Sequence, residues 1–480
     1  MPSPEPRNPR VRANLAEVRA LLALGLPIIA SQLGQMMMGF VDTLMAGWLS
    51  AGDLAAVAVG NNAWMTIMIF GWGLLMSVSP TVAHEYGAGE TSTIGRHLRQ
   101  GLWLSLGVGI CGISAAQHAL PIFTWLQIDP SIIETSNGFL RAISWGLPAS
   151  CAYMSLRGFS EGVGKTRPMM VMSLIGLVTN AFGNWVFMYG KFGFARLGAV
   201  GCGVASAITM WVMAASLALW IAYDEFYRPY GPFVRWEWPH AGRILHLLKL
   251  GCPIGICLLM EGSMFSIVSL LMGRLGRNTI AGHQIAVNVA SITFMVPLGL
   301  SLALTVRVGH AMGRGRPDDA QRCGFVGASL CAGFMTLAAI LIAMFPGLIA
   351  SIYTNDDEVQ RVASILLLMA AVFQIFDGLQ VAGSCALRGM KDTRIPMVIT
   401  ILAYWGLGLP LAYVLGITWQ GGPRAMWIGL TAGLAAAALF LNLRFYLVTR
   451  RAIANSQRGS RQPGDTPAPH YAALPEPTIH

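Results

Sequence analysis

Apolar residues run through this chain in long blocks, each closed by a short polar or basic turn. About 20 apolar residues of α-helix cross the hydrocarbon core of a bilayer, and backbone inside lipid must bond internally. Each block therefore predicts a membrane-spanning helix. Twelve are present, over 21–47, 55–82, 97–119, 132–155, 168–190, 198–223, 246–273, 281–308, 322–350, 362–387, 395–416 and 425–449. The first is too long for a signal-peptide core and no small-residue cleavage site follows it, so it reads as a retained helix. Residues 1–20 and 450–480 read as polar tails, the second rich in Pro, Ser and Gln and expected to be disordered.

The blocks fall into two copies of one unit. LGLPIIASQLGQMMMGFVDTLMAGWL from Leu24 matches LGCPIGICLLMEGSMFSIVSLLMGRL from Leu250 without a gap, 226 positions on. Gly25 and Pro27 pair with Gly251 and Pro253, Gly47 with Gly273, Asn62 with Asn288, and Gly73-Leu74 with Gly299-Leu300. The match ends on H-x-x-G-x-G, where His84, Gly87 and Gly89 correspond to His310, Gly313 and Gly315. A looser echo, LRGFSEGVGKTRP at 156–168 and LRGMKDTRIP at 387–396, follows the fourth helix of each copy. Six helices per copy is an even number, so both halves enter from one side. The expected architecture is an all-α protein of two parallel six-helix repeats, 21–223 and 246–449, around a central cleft, joined by a linker over 224–245. Pro148, Gly183, Pro297, Gly406, Gly408 and Pro410 fall inside spans; they suit either close helix packing or hinges.

Composition agrees: 55% of residues are apolar and 11% charged, where a soluble domain carries about a quarter charged. The net charge of +10 is unevenly placed, with 25 of the 32 Lys and Arg on the side of the termini. This is the positive-inside bias; it puts both termini in the cytoplasm and assigns the basicity to orientation and anionic lipid. No nucleic-acid footprint is present. The eight cysteines show no C-x-x-C and no metal spacing, and read as small buried hydrophobes.

Charge inside the spans is sparse. Asp42 lies in the first helix, Glu261 in the seventh and Asp377 in the tenth. In the repeat frame Asp42 corresponds to Val268, seven residues after Glu261, so the two acids share a face of equivalent helices at different depths. A carboxylate in lipid is costly and is either protonated or paired. With no basic residue in these spans placed to pair with all three, the expected partner is mobile: a proton, Na+ or a cationic substrate. Asn180 and Asn184 share a face of the fifth helix, and Gln284 and Asn288 repeat that spacing in the eighth; both pairs can bind a cation, bond a carboxylate, or hold helices together. Met36, Met37, Met38, Phe40, Met260, Met264 and Phe265 offer a soft wall for flat ligands or ordinary packing. His283 sits near mid-span and His84 and His310 at helix ends, where packing or capping suffices. Asp356, Asp357 and Glu358 form an acidic loop on the outer face, either a solvated turn or a cation-gathering mouth.

GFVDTLMAG, the Glu261 neighbourhood with AGHQIAVN and RVGHAMGRG, FDGLQVAGSCALRGMKDT around Asp377, and N-x-x-x-N-W-V-F-x-Y-G-K-F-G from Asn180 resemble the multidrug and toxic compound extrusion (MATE) family, in its bacterial NorM-type branch. The resemblance spans nearly the whole chain between the tails. It implies export of lipophilic organic cations, such as dyes and fluoroquinolone-like drugs, against inward Na+ or H+ across a bacterial inner membrane, with no cofactor and a monomer as the working unit. Carried over by position, Glu261 and Asp377 would form the cation site of the second half, and Asp42, Asn180 and Asn184 the polar site of the first. Some relatives carry a tyrosine four residues before the helix-ten acid, where this chain has Phe373; that position bears on which ion drives transport. Two other classes stay open: a flippase for a lipid-linked precursor, which the acidic, Arg-free cavity disfavours, and an intramembrane enzyme, for which no H-E-x-x-H or nucleophile–base pair is found. A channel suits the repeat less well than alternating access.

Overall fold

A computed structural model describes residues 9–125, 129–234 and 237–459. The described chain is helical almost throughout and contains no strand. The first half is α1 (Pro9–Leu49), α2 (Ala51–Leu75), α3 (Val78–Ala88), α4 (Thr91–Gln117), the short α5 (Leu120–Trp125), α6 (Pro130–Ser144), α7 (Leu147–Gly162), α8 (Arg167–Phe187) and α9 (Ala199–Tyr223). The second is α10 (Ala241–Arg274), α11 (Arg277–Gly313), α12 (Pro317–Met344), the short α13 (Pro346–Tyr353), α14 (Asp357–Gly389), α15 (Arg394–Ile401), α16 (Leu409–Tyr413) and α17 (Gly422–Gly459). Ten stretches are long and apolar enough to cross a membrane by length and composition. The other two spans are α4, which buries Arg99 and Gln100, and the pair α6–α7, broken at Trp145–Gly146 ahead of Pro148. The twelve-helix, two-repeat reading of the sequence therefore stands.

Local chemistry sets the breaks. The α2–α3 junction turns where the Ser77 hydroxyl bonds back to the Leu74 carbonyl at 2.7 Å. Gly89 ends α3 with φ of 76°, a left-handed conformation that glycine adopts freely. The eleventh span is α-helical only in part. Residues 402–408 and 414–418 on either side of α16 are wound as π-helix, around Pro410, which cannot donate to the carbonyl one turn back. Gly408 lets this span lie against Gly433 of α17.

Two expectations need correction. Residues 9–20 are the first turns of α1 rather than a tail, and α17 runs on through 450–459; the remaining tail residues lie outside the described residues. The linker is bolted to the first half. Arg99 donates to the Gly231 and Pro232 carbonyls and pairs with Glu237 at 2.9 Å, Gln100 brackets the chain at Trp238 and His240, and Lys165 pairs with Asp224 at 2.5 Å.

The two halves meet along the residues that define the repeat, and the meeting is two-fold. A Cβ on Gly73 would overlap Gly255, and one on Gly299 would overlap Ile29, the position equivalent to Gly255. A Cβ on Gly251 would strike Leu74, and one on Gly25 would strike Leu300. A Cβ on Gly87 would meet the His310 carbonyl, and one on Gly313 the His84 carbonyl. Each contact has its symmetric counterpart 226 residues away. The glycine pattern thus marks a seam in which α1, α2 and α3 press backbone to backbone on α10 and α11, toward the end of the bundle that carries the termini. Polar locks sit at that end: Glu17 holds Arg307 through two bonds of 2.6 and 2.8 Å, and His310 Nε2 contacts the Gly162 carbonyl at 2.7 Å while its ring lies tilted against Tyr86 with centroids 4.7 Å apart.

Overpacking of a tight contact costs about 1–3 kcal/mol, a shift of about 5–150-fold between two conformers. Gly73→Val is expected to loosen the seam by that factor. In a background lacking the exposed Cys111, maleimide labelling of Ala83→Cys, fully buried against Gly309, should rise at least fivefold with Gly73→Val; unchanged labelling would show that the seam tolerates the added bulk.

Candidate functional site

In the first half α1 carries Asp42 against α8 and α9. Asn180 Nδ2 donates to Asp42 Oδ1 at 3.0 Å and Asn184 Nδ2 donates to the same oxygen at 2.6 Å. The Ser206 hydroxyl reaches the other oxygen at 3.4 Å. The i,i+4 spacing of the asparagines places both amides on the α8 face that looks at α1. Asp42 is therefore held by neutral donors, and Asn184 Oδ1 is buried with no partner. Such a carboxylate keeps its charge or a proton with little rearrangement of the shell, and charge-assisted bonds of this kind are the stronger ones.

In the second half the two acids stand in membrane-spanning helices, Glu261 in α10 and Asp377 in α14. Among the described residues neither acid forms an ion pair or hydrogen bond with a protein donor within bonding distance. A carboxylate so placed in lipid is stable when a proton or a cation offsets its charge. The acids of the two halves sit in separate sites.

The remaining expected site residues divide. Gln284 and Asn288 do line one cleft of about 330 Å³, with Ile285, Ser291 and Tyr353, but Asn288 Oδ1 accepts from the Tyr353 hydroxyl at 2.8 Å; the cleft is not shared with Glu261 and Asp377. Met264 and Phe373 are corrections. Both are buried in the core of the second half, where Phe373 packs edge-on against Phe265 and Trp427 with ring centroids 6.0 and 5.5 Å apart. Their apolar side chains are satisfied by helix packing, so neither is an open wall; Phe265 is half-buried at the margin of that core. Asp356 is the N-cap of α14, accepting from the Glu358 and Val359 amides at 2.9 and 3.2 Å, and Asp357 is exposed in the first turn, where a negative charge suits the helix dipole. Their position follows from the helix end rather than from a cavity. His283 is satisfied between Ser269 at 3.1 Å and the Trp427 indole at 3.3 Å.

Reading the sequence missed three groups. Ser206 completes the Asp42 shell from a helix with no polar periodicity to advertise it. Tyr404 is fully buried in the π-helical stretch near Glu261 and Asp377; the local cluster of Gly406, Gly408 and Pro410 was the available signal of unusual winding. Arg157 and Glu161 form a buried ion pair at 2.6 Å, extended by Arg157 to Gln32 of α1 at 2.9 Å, from a motif that reads as a cytoplasmic turn.

The MatE family model matches residues 27–186 and again 253–414, once in each half. Similar proteins include multidrug resistance protein PmpM of Pseudomonas aeruginosa, 41% identical over 96% of this chain and 97% of its own length. A probable multidrug resistance protein NorM of Xanthomonas campestris pv. campestris is 42% identical over 92% of this chain and 96% of its own. Among solved structures, the eukaryotic MATE transporter AtDTX14 superposes with a TM-score of 0.82 at 18% identity, covering 92% of this chain and 100% of that one. An outward-facing multidrug resistance MATE transporter gives 0.80 at 20% identity, over 94% and 100%. With its repeat matched twice by one model and relatives sharing two fifths of its residues end to end, this multi-pass membrane protein belongs to the MATE family of transporters and is not an enzyme.

Proposed function

We propose that the chain exports lipophilic organic cations, dyes and fluoroquinolone-like drugs among them, across a bacterial inner membrane in exchange for inward Na+ or H+. The observation that carries this reading is the pair Glu261 and Asp377, two acids in membrane-spanning helices with no protein cation bonded to either among the described residues. A site of that kind is vacant electrostatically until a mobile cation fills it. When the coupling ion neutralises the pair, the drug loses its counter-charge and leaves outward. The ion-bound protein then closes outside and opens the seam to the cytoplasm. After the ion departs, a new cationic drug takes its place. Competition of two cations for one set of charges is the minimal coupling of an antiporter.

Asp42, with its shell of Asn180, Asn184 and Ser206, is read as the second charge that a bound drug meets. The two halves, 21–223 and 246–449, move as bodies about the linker at 224–245. The termini, the basic turns and the seam face the cytoplasm, the side that the positive-inside bias selects. Organic cations, the coupling ion and the bilayer are the partners, the working unit is one chain, and no nucleic acid or cofactor takes part.

Glu261→Gln keeps shape and removes charge. It should reduce gradient-driven ethidium export from proteoliposomes at least tenfold with unchanged thermal unfolding in detergent; wild-type export by this variant would sink the assignment. Asp42→Asn is expected to raise the half-saturating concentration of a cationic dye about tenfold, equivalent to about 1.4 kcal/mol, with little effect on a neutral one. Equal shifts for both dyes would assign Asp42 to packing.

A further inference from the structure

Around the two acids of the second half, buried polar groups remain without partners. Tyr404 is fully buried and its hydroxyl has no hydrogen-bond partner. Gln374, three residues before Asp377, is also fully buried; its Oε1 accepts from Thr293 at 2.8 Å, which leaves Nε2 unpartnered. Three residues after Asp377, the buried Gln380 leaves Oε1 unpartnered. Such groups are costly when nothing answers them. They lie on α14 to either side of Asp377 and on the π-helical stretch that packs on α10.

The winding of that stretch brings Tyr404 in. Residues 402–408 carry a π-helical turn, a local widening that recurs at functional sites. The neighbouring Trp405 indole donates to the Met260 carbonyl at 3.3 Å, so the stretch is pinned to the turn of α10 that holds Glu261. The charged and titratable groups facing Tyr404 are Glu261 and Cys257 from α10 and Asp377 from α14, with Arg388 beyond Glu261. α17 meets the stretch through Gly433 and buried leucines.

We propose that Tyr404 is the third member of the coupling-cation site. Its hydroxyl, without a partner in the structure, turns to the pair in two ways: it donates to a carboxylate once the pair is ionised, and its oxygen is a neutral ligand when Na+ is bound. This rests on the antiport reading for what the site binds, and adds which residue tunes it.

Tyr404→Phe keeps the buried ring and removes only the hydroxyl. Carbodiimide attacks protonated carboxyls, so mass spectrometry of labelled Glu261 and Asp377 in the reconstituted protein reports site occupancy without transport. Loss of a donor to the ionised form should move the pH of half-maximal labelling up by about one unit, a tenfold change. If Na+ protects the wild type, the protecting concentration should rise about tenfold. Thermal unfolding in detergent should stay at the wild-type temperature, which separates an ion-site role from general damage. Labelling midpoints equal to wild type, in both pH and Na+, would overturn the proposal while leaving antiport intact. Failure of wild-type transport to respond to either gradient would instead overturn the antiport reading, and the labelling shift of Tyr404→Phe would decide the role of Tyr404 by itself. Trp405→Phe, which keeps the hydroxyl but loses its pin, should shift the midpoint less than Tyr404→Phe; an equal or greater shift would assign the effect to the winding rather than to the hydroxyl.

Discussion

Backbone contact between the two halves is the constraint on which the rest depends. Lipid tails are as apolar as leucine, so burial does little to press helices together in a membrane; close packing and polar contacts must do so. Here the halves meet where side chains are absent: Gly73 on Gly255, Gly251 on Leu74, Gly87 and Gly313 on the carbonyls of the opposite histidines. Contacts of that kind are steep in distance. A small displacement loses them, and polar locks such as Glu17–Arg307 add to the hold at the same end.

The halves share a frame but not a chemistry. In the first, Asp42 rests among neutral donors that have no charge of their own to lose. In the second, two membrane-spanning acids have no protein donor among the described residues, and the buried Tyr404 hydroxyl has no partner either. The first arrangement tolerates an ionised carboxylate; on the proposed antiport, the second takes a cation. That asymmetry would give a symmetric scaffold a reason to move, since filling one site with a proton or metal ion changes the charge of one half only.

Much of this was legible in the sequence, and the failures have physical causes. The repeat glycines announced the seam because backbone approach requires glycine on both copies. Asn180 and Asn184 announced the Asp42 site because four-residue spacing fixes a shared helix face. Tyr404 and Ser206 stayed hidden because their roles depend on which helices become neighbours, which periodicity does not encode. Met264 and Phe373 stayed ambiguous for a related reason: an apolar side chain reads the same whether it faces a cavity or a core, and both are buried in the core of the second half, Phe373 against Phe265 and Trp427. Asp356 stayed ambiguous because an acidic mouth and an N-cap share composition and differ in geometry.

The central claim is that the charge of the Glu261–Asp377 pair sets the state of the seam. Spin labels at Ser92→Cys and Asp318→Cys, exposed equivalents in the first turns of α4 and α12, report the separation of the two halves at the terminus end of the bundle. The direct measurement is their distance distribution by pulsed electron resonance in lipid, with and without Glu261→Gln and Asp377→Asn together. Neutralising the pair should mimic ion binding and move population to a longer distance at that end. An unchanged distribution in the doubly neutral protein would contradict the account.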